Sequence, residues 1–177
     1  MRSDEAMAVG VFHCAVYLDW LNIKMNGGRD LNFDKLFDYI HSRGGFIRIA
    51  NFYAPDTETE GKQTLYDAVR RSGFRVVIIP GKKHDDRMSV DCDVMMAVDM
   101  VTQGAHMHVV YLMTHDAHFL PAVQYLQGKG VRVVLLHADK PSNELRDAVD
   151  EWHHVRQLGL ISPREQQGPA RDCSAVR

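Results

Sequence analysis

A chain of 177 residues, 45% hydrophobic and 25% charged, can bury one full core, and its composition excludes a disordered or fibrous class. Its 21 Lys and Arg stand against 23 Asp and Glu for a net charge of −2, so binding to nucleic acid would need a local basic patch. Cys14, Cys92 and Cys173 are widely spaced with no CxxC, which excludes a disulfide framework and a zinc knuckle.

Residues 1–10 hold acids and no long apolar run, so neither a signal peptide nor a membrane span is expected. The expected location is cytoplasmic. The first predicted strand, "VFHCAVYL" (11–18), buries Cys14 and runs into "DWLNI", which puts Asp19 at its tip and Asn22 in the next turn. Trp20 has two readings there, core packing or stacking on a base. Asn32 caps a predicted helix over 32–44 that closes at Gly44 and Gly45. A strand over 46–53, a helix over 58–73 and a strand over 75–80 follow.

Next comes "GKKHDDRMSVDCDVMMAVDM", with the basic Lys82, Lys83 and Arg87 and the acidic pair Asp91 and Asp93. A helix over 92–104 is apolar nearly all round, which predicts burial and gives Asp99 a structural role within it. The strand "HVVYLMT" (108–114) is entered by His106 and His108, an HxH on the edge away from the acids. It ends on Thr114, His115 and Asp116, with His118 just beyond. A helix over 117–130, a strand over 131–137, a helix over 142–152 opened by Ser142 and a short strand over 153–158 complete the pattern. The tail over 161–177 is polar and reads, like residues 1–10, as a flexible end.

Val- and Ile-rich strands alternating with helices predict a three-layer α/β/α sandwich around a mainly parallel sheet of five or six strands, Rossmann-like in plan. Ligands of such sheets bind beyond the carboxyl ends of the strands, where strand order reverses. Asp19, the pair Asp91 and Asp93, and Asp116 all fall on that rim. Each alone reads better as a turn or helix cap. Together, carboxylates brought close need a cation to stay ionised, and hard oxygen ligands suit Mg²⁺ or Mn²⁺. Lys82, Lys83 and Arg87 lie beside these acids, where they could hold a phosphate backbone. The chain has no GxGxxG and no GxxxxGK[ST], and Leu21 stands where a haloacid-dehalogenase-type phosphatase needs a second Asp.

"LDWLNI", "CDVMMAVD", "THDAHF" and "SNEL", in this order and register from about residue 12 to 158, resemble the motifs of the NYN-domain family, a PIN-like nuclease branch. The resemblance implies one domain over 11–158 and a Mg²⁺- or Mn²⁺-dependent endoribonuclease. Asp19, Asp93 and Asp116 match its metal positions, while Asn22, Asp99, Thr114 and Ser142 match supporting ones. RNA is the implied partner, and assembly into a homo-oligomer is left open. His118 replaces a family acid and His115 a family glycine. The lysine that often precedes the acidic helix is missing, with Lys83 or Arg87 as its substitute. Proton transfer or a phosphate contact falls to His118 or His115. The alternative reading is a catalytically weak RNA-binding or regulatory module.

Overall fold

The computed structural model describes residues 11–56, 62–80, 82–84, 87–89 and 92–161, with backbone alone at 80, 82–84 and 87–89. In chain order the elements are β1 (Phe12–Asp19), α1 (Trp20–Ile23) with a π-helical continuation over Lys24–Gly28, α2 (Phe33–Ser42), β2 (Gly45–Asp56), α3 (Lys62–Arg71) and β3 (Arg75–Pro80). A short hairpin of β4 (Lys82–His84) and β5 (Arg87–Ser89) leads into α4 (Cys92–Thr102). Then come β6 (Val109–Met113), a 3₁₀ turn over Ala117–Phe119, α5 (Leu120–Gly128), β7 (Arg132–His137), α6 (Asn143–Ala148) and β8 (Glu151–His154).

Six strands form one sheet in the order β3-β2-β1-β6-β7-β8, and every neighbouring pair is parallel. Successive strand residues point to opposite faces, so each strand feeds two cores. Cys14, Val16, Leu18, Phe52, Tyr111 and Leu136 pack with Trp20 and Ile23 of α1, Leu36 and Ile40 of α2 and Val69 of α3. Ala15, Tyr17, Val110, Leu112 and Leu135 pack instead with Met96 and Met100 of α4, Val123 and Leu126 of α5 and Leu145 of α6. The result is an α/β/α sandwich. Strand order reverses between β1 and β6, so the two carboxyl ends part there and open a crevice.

Local chemistry explains the boundaries. Asn32 Oδ1 accepts from Lys35 N at 3.0 Å, which caps α2, and Gly44 turns the chain at φ 85° into β2. Gly28 is required by a close approach: a Cβ there would lie 2.4 Å from Ile23 Cγ2 and 3.1 Å from Ala138 Cβ.

Four expectations need correction. The helix expected over 142–152 stops at Ala148, because Val149 is extended and the Asp150 carboxylate accepts from Val133 N at 2.8 Å, drawing the chain onto the sheet as β8. The last strand is therefore 151–154, not 153–158. The helix α4 is not buried all round: Cys92, Met96 and Met100 face the core, while Val94, Met95 and Val98 are exposed. Ile161, expected in the tail, bridges Leu31, whereas residues 1–10 and 162–177 lie outside the described residues. No helix among the described residues is long and apolar enough to cross a membrane.

Candidate metal centre

Asp19 is the last residue of β1 and the N-cap of α1, and only 5% of it is exposed. Its Oδ1 accepts from Asn22 N at 3.2 Å and its Oδ2 from Thr114 Oγ1 at 3.3 Å. Thr114, fully buried just past β6, also accepts from Asp116 N at 3.2 Å, so one hydroxyl ties the tips of β1 and β6 across the crevice. Asp116 caps the 3₁₀ turn through His118 N at 2.9 Å. Asp93 lies in the first turn of α4, half-buried, where the positive end of the helix favours a carboxylate. Capping and clustering are thus compatible. Capping fixes Asp19 and Asp116, the start of α4 carries Asp93, and the topology brings the three together.

Ligand atoms of Asp93, Asp116 and His118 lie within 4.8 Å of one another. Asp19 is outside that set, yet it is close enough for the negative charges of Asp93 and Asp116 to act on it. Burial first, then these two charges, push its carboxyl up to about 6 against the opposing hydrogen bonds from Asn22 and Thr114. A buried acid strained by two like charges suits a cation. The donor set of three carboxylates and an imidazole fits Mg²⁺ through oxygen, and Mn²⁺ through oxygen and nitrogen.

The two histidines differ. His118 has a side chain 83% exposed, and its Nδ1 lies 3.0 Å from Asp116 Oδ1. His115 is committed on both nitrogens. Its Nδ1 donates to Asn22 Oδ1 at 2.7 Å, and its Nε2 accepts from Ala138 N at 3.1 Å and Asp139 N at 2.9 Å. Burial, with His137 nearby, lowers its pKa to about 4. It is a neutral clamp joining the α1 turn to the β7–α6 loop, and of the two histidines only His118 is open to solvent. Asn22 accepts a second bond, from His115 N at 2.9 Å. Ser142 joins the same frame: its backbone N reaches His115 O at 3.4 Å and its Oγ caps α6.

Asp99 lies off this centre. Its Oδ2 accepts from Tyr53 OH at 2.6 Å and its Oδ1 from Gln103 at 2.8 Å, while Asn51 donates to Tyr53 OH at 3.0 Å. It holds α4 to β2. Trp20 is buried against Phe33 and Phe52 at ring separations of 6.2 and 5.3 Å, which makes it a packing residue rather than a base platform. Lys82, Lys83 and Arg87 fall in the hairpin described by backbone alone, and Asp91 lies outside the described residues. His137, Arg146 and Trp152, at or near the same rim, were not singled out by sequence. The signal was there in "VRVVLLH", an apolar strand closing on a polar residue as "YLMT" does.

The fold and this acidic crevice define a PIN-like domain. The chain belongs to the NYN domain family, which matches residues 13–156. No curated protein matches the chain. Among solved structures it is similar to a protein of unknown function, VPA0982 from Vibrio parahaemolyticus RIMD 2210633. The TM-score is 0.75 at 20% identity, over 92% of this chain and 100% of that one, a likeness of fold.

Proposed function

We propose that this NYN domain is a divalent-metal-dependent endoribonuclease that hydrolyses RNA phosphodiester bonds at the β1–β6 crevice. The observation that carries the reading is the convergence of Asp93, Asp116 and His118 within 4.8 Å beside the buried, charge-strained Asp19. Asp19, Asp93 and Asp116 hold the ion, Mg²⁺ or Mn²⁺. When bound, it supplies an activated water and neutralises charge building on the phosphate. Asp116 orients His118: a carboxylate facing Nδ1 keeps the proton there and leaves Nε2 as a lone pair, able to take a proton or bind the ion. Thr114 and Asn22 hold Asp19 in place, and His115 and Ser142 brace the loops around it. Lys82, Lys83 and Arg87 contact the RNA backbone.

His118 at an acid position favours a second reading, an RNA-binding or regulatory module of weak activity. Both are tested by incubating several single-stranded RNAs with Mn²⁺ and the protein, with Asp19→Asn as control. The expected outcome is cleavage that EDTA and the substitution both abolish. Binding without metal-dependent cleavage would support the second reading and overturn the first.

A further inference from the structure

The rim carries another constellation, used by none of the chemistry above. His137, the last residue of β7, is only 4% exposed. Its Nδ1 faces the carbonyl oxygen of Asp139, which can only accept, so Nδ1 carries the proton and Nε2 is a lone pair. That Nε2 is buried and has no hydrogen-bond partner among the described residues. Burial, the first cause, lowers its pKa, with His154 and His153 adding to the shift against the hydrogen bond to Asp139.

Trp152 of β8 packs on His137 at 5.6 Å between ring centroids, yet 47% of it is exposed. The Arg146 guanidinium lies over the indole at 5.7 Å and is itself held by Asp147 at 3.1 Å. Lys140 is exposed in the loop between β7 and α6. An edge-strand tryptophan serving only as a lid for His137 would explain the packing. It would not explain why an indole beside a cation stays half-exposed. Flat aromatic surface beside cations is what binds single-stranded nucleic acid without strict sequence preference.

The platform connects to the carboxylates through an unbroken chain of contacts. Asp116 adjoins His115, His115 lies 6.4 Å from His137, and His137 meets Trp152. Strands β6 and β8 are separated by β7 alone, roughly 10 Å at two strand spacings, within reach of a short run of nucleotides.

We propose that Trp152, backed by His137 and flanked by Arg146 and Lys140, stacks one base of a single-stranded RNA whose neighbouring phosphate lies at the carboxylate centre. This rests on the RNA reading above. Arg146 and Lys140 meet the phosphates on either side of the stacked base.

The test is fluorescence anisotropy of a labelled oligoadenylate of about twelve nucleotides, measured on the full chain in EDTA, so that its result does not depend on cleavage. Trp152→Ala weakens binding about tenfold, and Trp152→Phe restores most of it. In the unmodified protein, the same RNA also protects tryptophan fluorescence from acrylamide, because Trp152 is exposed and Trp20 is buried. Wild-type affinity in a folded Trp152→Ala protein overturns the proposal, as does unchanged acrylamide quenching. Mn²⁺-dependent cleavage whose KM ignores Trp152→Ala overturns the subsite alone. Binding through Trp152 without any cleavage keeps the subsite and removes the nuclease reading.

Discussion

Asp19 is out of balance with its surroundings, and that imbalance can be measured. Its folded-state carboxyl is raised to about 6 from an ordinary 3.8, so the folded protein holds this proton more tightly than the unfolded chain. Stability from this group is therefore lost as pH rises from about 4 through 6, by about 3 kcal/mol in the metal-free protein. Asp19→Asn removes that loss and keeps the cap. Its metal-free melting temperature at pH 7.5 exceeds wild type by about 6–12 °C, and the difference closes near pH 4. His115 has the opposite sign. Its folded pKa of about 4 lies below the usual 6.5, so its contribution is complete above 6.5 and is lost as pH falls toward 4. Asp19→Asn consequently unmasks a steeper acid loss between pH 6.5 and 4, readable by thermal melts across that range. His118→Asp adds a hard oxygen ligand where an imidazole now stands. Titration of both ions should show Mg²⁺ affinity rising about tenfold and the preference for Mn²⁺ shrinking.

At the scale of elements, the centre depends on how closely α1 and its π-helical continuation approach the β7–α6 loop. Gly28 permits that approach, because a Cβ would lie 3.1 Å from Ala138 Cβ in the loop and 2.4 Å from Ile23 Cγ2 in α1. Gly28→Ala should cost about 2 kcal/mol, seen as a lowered denaturant midpoint, and shift Asn22 enough to weaken metal binding. Most elements were readable from the 2.0 and 3.6 residue periods: "NFDKLFDYIHS" carries its own cap and its own stop. The α6–β8 boundary was not. "NELRDAVDEW" has a helical pattern throughout, and only the pairing of Asp150 with Val133 N, a contact between segments, decides that it turns into a strand. The burial of α4 was misread for a related reason. An apolar composition does not say which face meets the core, and Val94, Met95 and Val98 remain outside it.

At the scale of the molecule, the centre is a place in the topology: Asp19, Asp93 and Asp116 come from three elements far apart in the chain. An ion that binds the folded centre and not the unfolded chain must raise stability. Mn²⁺ at about 100 times its Kd should raise the wild-type melting temperature by about 5–10 °C by differential scanning fluorimetry. Asp19→Asn should show almost none of that rise, and EDTA should reverse it. The sequence alone determined the class of fold, the location of the rim and the place of Asp19, Asp93 and Asp116 on it, because periodicity and strand-end polarity are local and survive in one dimension. Only the tertiary structure decided which histidine is committed and which is available. His115 and His118 are three residues apart in the same turn. What separates them is Asn22, Ala138 and Asp139, which close on His115 from distant segments and leave His118 to face Asp116 and the solvent.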